Sequence, residues 1–97
     1  MESSAVSPVP APVAVVTGAS RRLGFEIGKA LLARGWRLYA LHRSETDELA
    51  QLGDAGARCL AVDLADIGSV ARAVEIILAE TEQVALLVNN ASEFTPD

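Results

Sequence analysis

The sequence predicts an α/β fold: a doubly wound parallel sheet with helices on both faces, of which this chain carries the N-terminal half in the strand order 3-2-1-4. Three observations lead there. Strand-like runs occur four times with helix-like runs between them. The runs VAVVT, RLYAL, RCLAV and VALLV have no polar face, as befits strands covered on both sides. A glycine-bearing loop joins the first of them to the first helix. Right-handed crossovers then put the first two helices on one face, and the strand order sends the third to the other.

Each element has a local cause. Residues 1–12, MESSAVSPVPAP, hold three prolines among serine and alanine. Proline neither pairs inside a sheet nor continues a helix, so a flexible leader is expected there, with the folded part running over 13–97. Val13–Thr17 reads as a buried strand. Arg22–Ala33 reads as a helix with Leu23, Ile27, Ala30 and Leu31 on one face, ended by Arg34-Gly35. Arg37–Leu41 is the second strand, Thr46–Leu52 a short helix and Arg58–Val62 the third strand. Asp66 is placed to cap a longer helix whose Ile67, Val70, Val74, Ile77 and Leu78 fall at helical spacing. Val84–Val88 is the fourth strand. It would present an unpaired apolar edge, and one sheet face would be thinly covered; folded proteins normally hide both. The expectation is an incomplete sheet: the N-terminal part of something longer, or a chain that pairs with another.

Composition narrows the function classes. At 51% hydrophobic and 22% charged, the 97 residues are too apolar for disorder, yet no run reaches the ~20 apolar residues of a membrane span. A formal net charge of -5, with the eight cations scattered, argues against a nucleic-acid surface. The one cysteine, Cys59, has no partner for an internal disulfide, and the first residues lack the pattern of a signal peptide, so a cytoplasmic location is expected.

The stretch TGASRRLG, Thr17 to Gly24, follows the first strand. Gly18 and Gly24 allow close backbone approach, and amides at the helix start can face a pyrophosphate with the helix dipole behind them. An ordinary tight turn with surface arginines is the alternative. In a Rossmann-type site an acid at the end of the second strand accepts from a ribose 2′-hydroxyl, whereas a cation accommodates a 2′-phosphate. Here the chain reads Leu41-His42-Arg43-Ser44, and between Gly24 and Glu45 the only acid is Glu26, inside the helix. NADPH is therefore expected, with Arg43 and Ser44 as phosphate ligands and Arg22, standing where a nucleotide loop would carry another glycine, as a second cation. The only histidine, His42, is expected to line the turn.

TGASRRLG, the Val62-Asp63-Leu64 step and Leu87-Val88-Asn89-Asn90-Ala91-Ser92 together resemble the short-chain dehydrogenase/reductase family. Arginine in place of the middle glycine, His-Arg-Ser after the second strand, and Asn-Asn-Ala-Ser followed by Phe94 and Pro96 look like its pteridine reductases and dihydromonapterin reductases. The resemblance covers residues 13–97. It implies that Gly18, Ser20, Arg22, Leu23 and Gly24 hold the pyrophosphate and adenosine phosphate, and that Arg43 and Ser44, with His42 beside them, select NADPH. It also implies that Asp63 bonds the adenine amino group beside Leu64, and that Asn90, Ala91 and Ser92 line the nicotinamide ribose, with Asn89 tying the strand end into the sheet. Phe94 and Ser92 would contact a flat heterocyclic substrate. Asp63 as a turn cap and Phe94 as plain packing stay open beside these roles. Asn90-Ala91-Ser92 also matches a glycosylation sequon, which a cytoplasmic cofactor loop makes irrelevant.

The family's catalytic Tyr-x-x-x-Lys is absent from these residues. Tyr39 is followed four residues later by Arg43, and Lys29 is preceded by Phe25. The chain alone is expected to be inactive, for want of a phenol acid beside an ammonium. The resemblance thus implies an NADPH-dependent reductase acting on a pteridine C=N bond, a small-molecule substrate, with no metal and a homo-oligomeric full-length protein. A 3-oxoacyl-type carbonyl reductase, a noncatalytic nucleotide-binding module and a functionless fragment are the other readings.

Overall fold

The computed structural model describes residues 11–19 and 22–90. Four strands and three helices alternate: β1 Val13–Thr17, α1 Arg22–Ala33, β2 Arg37–His42, α2 Asp47–Asp54, β3 Arg58–Ala61, α3 Ile67–Glu80 and β4 Leu86–Asn89. The sheet is parallel throughout, in the order β3-β2-β1-β4, as the sequence predicts. Register sets Val15 between Tyr39 and Leu87, and Leu41 beside Leu60.

Alternation along the strands divides the core in two. Ala14, Val16, Leu38 and Ala40 pack with Phe25, Leu49 and Leu52 from α1 and α2. Val13, Val15, Tyr39, Leu41 and Leu60 pack with Ala73 and Ile77 from α3. All five residues of β1 are buried, which is why this central strand lacks a polar face.

The apolar patterns of α1 and α3 are wider than the faces they bury. On α1 the buried residues are Gly24, Phe25 and Gly28, with Ile27 and Leu31 partly covered; Leu23 is 62% exposed and Ala30 also faces water. The sheet lies against Gly28: a Cβ there would stand 3.0 Å from Leu38, so this small residue marks the contact side. On α3 the buried stripe is Ala73 and Ile77 flanked by Val70 and Ile76, while Ile67, Val74 and Leu78 are exposed.

Helix ends follow their sequence signals. Asp66 caps α3 by accepting from the Gly68 amide at 2.9 Å, and Thr46 caps α2 by accepting from Leu49 at 3.1 Å. Behind α1, Gly35 donates to Leu32 and Trp36 to Leu31; behind α2, Gly56 donates to Gly53 and Ala57 to Leu52. Both are Schellman endings with glycine just past the helix.

Four elements are bounded differently from the sequence reading. β2 runs one residue further, to His42, because its end pairs with Ala61. α2 begins after its cap and reaches Asp54, while β3 stops at Ala61. β4 is shifted to Leu86–Asn89, since Asn89 pairs with Thr17 whereas Val84 precedes the ladder and is exposed. Among the described residues β4 pairs only with β1, and Leu87, register partner of Val15 on the α3 side, is 64% exposed.

One polar tie fastens α3 to the sheet. The buried Tyr39 donates its hydroxyl to Glu80 at 3.0 Å, and Arg58 grips the same carboxylate through Nε and its terminal nitrogen, the latter at 2.9 Å.

Candidate functional site

The site is built at the carboxyl ends of the strands, where the strand order reverses between β1 and β4. β1 ends at Thr17, and Gly18 follows at φ 68°, a left-handed conformation that glycine adopts without a Cβ clash. The turn then anchors itself: Ala19 is fully buried and its amide donates to Leu41 at 3.1 Å.

Gly24 in the first turn of α1 is pressed against this loop. A Cβ there would collide with the Gly18 carbonyl and stand 2.9 Å from the Asn90 side-chain nitrogen. Gly18 and the start of α1 are therefore in close backbone contact, which only a residue without a side chain at position 24 allows.

β4 is locked to the same loop. Thr17 donates its hydroxyl to Asn89 Oδ1 at 2.9 Å and accepts from the Asn90 amide at 2.9 Å. Asn90 Nδ2 donates to the Gly18 carbonyl at 3.3 Å. Asn89 thus ties the strand end into the sheet, and Asn90 braces the glycine turn. Thr17 is the hub that sequence reading missed; the signal was a hydroxyl, able to donate and accept, at the last strand position before a glycine.

Around the rim, Arg22 and Leu23 are exposed at the start of α1, and Arg43 and Ser44 are exposed directly after β2. His42 is expected from the sequence to line the turn after the second strand. It is the last residue of β2, directly before Arg43-Ser44, and is 6% exposed where β2 pairs with β3 to its end. Its Nδ1 is buried with no hydrogen-bond partner among the described residues, while its carbonyl accepts from Val62 at 2.8 Å. Asp63 stands exposed after β3, one carboxylate oxygen accepting from the Ala65 amide at 3.0 Å in an Asx turn. Leu64 packs on the α3 side of the core. Ser20, Ala91, Ser92 and Phe94 lie outside the described residues.

Glycine loop, Arg22, Arg43-Ser44, Asp63 and Asn90 thus share one end of the sheet. The Tyr39–Glu80–Arg58 tie is at the other, so neither Tyr39 nor Lys29 of α1 belongs to the site. No group of His, Cys, Asp and Glu among the described residues is arranged to hold a metal ion.

A parallel sheet in this order, with a glycine turn and helix start at the reversal point, defines a Rossmann-type protein. The chain belongs to the short-chain dehydrogenase/reductase family: the family model described as "short chain dehydrogenase" matches residues 12–96. It is 40% identical over 85 residues to a short-chain dehydrogenase/reductase of Armillaria gallica, covering 81% of this chain and 28% of that protein. It is 36% identical over 81 residues to 3-oxoacyl-(acyl-carrier-protein) reductase FabG of Salmonella typhimurium, covering 81% and 33%. Among solved structures, a short-chain dehydrogenase/reductase from Sinorhizobium meliloti superposes with a TM-score of 0.73 at 34% identity, covering 95% of this chain and 45% of that one. The chain thus spans about a third of the length of the curated relatives it matches.

Proposed function

We propose that this chain is the cofactor-binding part of an NADPH-dependent reductase resembling the pteridine reductases. The observation that carries the cofactor reading is Arg43-Ser44, exposed directly after β2 and at the same sheet end as the Gly18–Gly24 turn. The residues fit such a ligand: Gly24 leaves the helix start without a side chain where it meets the Gly18 carbonyl, and the start of a helix favours an anion.

When bound, NADPH supplies the hydride. The chain's residues orient it. Gly18 and Gly24 let backbone approach the pyrophosphate, and Leu23 borders it. Arg22 and Arg43 neutralise the 2′-phosphate, with Ser44 donating a hydroxyl hydrogen bond and buried His42 shaping the floor beneath. Asp63, one carboxylate oxygen of which is held by its turn, would bond the adenine amino group with Leu64 alongside. Asn90 keeps the glycine turn in place while lining the nicotinamide ribose with Ala91 and Ser92; Ser20 completes the phosphate loop. By the resemblance, Ser92 and Phe94 would contact the substrate. The proton donor is not among these residues, so the chain binds cofactor without turning over. The proposed substrate is a pteridine reduced at C=N, and the proposed location is cytoplasmic.

A second reading, reduction of a 3-oxoacyl thioester, is favoured by the FabG relative. Calorimetric titration of the folded chain with NADPH and NADH tests the cofactor reading, which requires saturable binding with NADPH preferred. Turnover of dihydrobiopterin against an acetoacetyl thioester, by an enzyme carrying this segment joined to a Tyr-x-x-x-Lys region, separates the two substrates.

A further inference from the structure

We infer that the amino-terminal end of the sheet carries a second small-molecule site, a groove beside Trp36 in which Arg37 holds the carboxylate of a flat, ring-bearing monocarboxylate. The groove lies at the end of the sheet away from the glycine loop, so it is independent of the dinucleotide reading.

The space is about 340 Å³, enough for a small ring compound. Gly35 and Gly56, from the two Schellman turns, line it at φ 87° and 111°. Nothing lies within 4 Å of a Cβ built on either, so both turns leave the space open. Leu38 and Tyr39, buried near the start of β2, form the floor, and the partly exposed Leu32 and Trp36 supply an apolar wall.

The charges lining the groove are unequally matched. Arg58 is occupied by Glu80, which it grips through Nε and a terminal nitrogen while Tyr39 donates to the same carboxylate. Arg37 is exposed, and its side chain makes no hydrogen bond or ion pair with any described residue. Arg58, then Tyr39, hold the Glu80 carboxyl below its ordinary value, and the Arg37 charge adds to them, so that guanidinium is within electrostatic reach of the tie. Two guanidiniums against one carboxylate leave the groove a single positive charge, carried by Arg37. A guanidinium takes a carboxylate through two parallel N–H bonds, and one spare cation matches a monoanion better than a phosphate dianion. A second groove, of about 750 Å³, shares Arg37 and Glu80 but adds Glu82, so acids outnumber cations there and an anion is not favoured. Beside Arg37 the indole of Trp36 offers a flat apolar surface, which selects a ligand with a ring.

Trp36 is the only tryptophan of the chain, so its indole N–H gives one resolved resonance at the groove. The test follows that resonance by proton–nitrogen correlation spectroscopy while the folded full chain is titrated with benzoate, benzamide and acetate. Benzoate is expected to shift it saturably, with benzamide and acetate weaker by roughly tenfold or more, and saturating NADPH is expected to leave the benzoate affinity unchanged. Arg37→Gln should weaken benzoate by roughly tenfold to a hundredfold, and Arg37→Lys should retain part of the affinity. A folded chain whose indole resonance benzoate does not move overturns the proposal. So do equal affinities for benzoate and benzamide, a comparison that needs the wild type alone and decides even where Arg37→Gln does not fold. An Arg37→Gln chain that binds benzoate like the wild type removes Arg37 and the proposal with it. Displacement of benzoate by NADPH would put the ligand in the glycine-loop crevice, overturning the second site while leaving the cofactor reading intact.

Discussion

The side-chain nitrogen of Asn90 donates to the carbonyl oxygen of Gly18 at 3.3 Å, across 72 residues of chain. This bond and those of the Thr17 hydroxyl with Asn89 and the Asn90 amide fasten the end of β4 to the turn after β1. Thr17→Val removes a hydroxyl that serves as donor and acceptor at once, leaving Asn89 and the Asn90 amide without their partner. The expected loss is roughly 1–3 kcal/mol in thermal or urea unfolding, with weakened binding of NADPH and NADH alike. A variant as stable as the wild type would show the latch to be dispensable.

Gly24→Ala drives a methyl group into the Gly18 carbonyl. Loop and helix must separate, at a cost of roughly 1–3 kcal/mol, and the crevice wall moves with them. Circular dichroism melting and a cofactor titration of the same sample check this. Gly53→Ala, whose added Cβ would make only a 3.7 Å contact with Cys59, is the control and should bind cofactor normally.

Arg43→Ala should separate the two cofactors. Loss of a charged hydrogen bond to the 2′-phosphate weakens NADPH by roughly 1.5–3 kcal/mol and NADH far less. Equal losses would mean that Arg43 supports the loop instead of reading the phosphate.

Acid sensitivity follows from Glu80. The Arg58 guanidinium, then the Tyr39 hydroxyl, hold its carboxyl below its ordinary value of 4.5. A group depressed in the folded state contributes stability above its unfolded value and loses it as pH falls through the folded one. The melting temperature of the wild type should therefore fall from about pH 5 downward, and more steeply than that of Glu80→Gln. Parallel curves would remove Glu80 from the account. At the alkaline end burial, then Glu80, raises the Tyr39 hydroxyl above its ordinary 10.0, so that contribution is intact at neutral pH and is lost only as strong alkali ionises the phenol.

The bare side of β4 and α3 has a solution signature. Leu87, 64% exposed, lies on a strand with no outer partner among the described residues, and Leu78 at 67% and Ile67 at 82% are exposed on α3. The isolated chain should associate as its concentration rises, and Leu87→Lys should raise the concentration at which sedimentation first shows it. Identical behaviour of the two proteins would place the sticky surface elsewhere.

The strand order and helix placement were legible because VAVVT has no polar face and because Gly35 and Asp66 mark helix ends where periodicity changes. The buried sides of α1 and α3 were not. Apolar periodicity reports every residue able to be covered, and Leu23, Val74 and Leu78 satisfy it while facing water. Strand ends were misjudged by a residue or two since pairing, not side-chain type, decides them: His42 is held by Ala61 and Asn89 by Thr17. At the site, Gly18, Gly24 and Arg43 stood out in the sequence, while Thr17 did not, because its importance lies in contacts with residues more than seventy positions away.

The two Schellman turns, at Gly35 and Gly56, connect helix ends to strand beginnings, at the end of the sheet away from the glycine loop. Nothing lies within 4 Å of a Cβ built on either residue. That end is therefore a handle: a fluorophore, affinity tag or inserted peptide attached beside these turns would report on the protein, or tether it to a surface, without entering the crevice where the dinucleotide is proposed to lie.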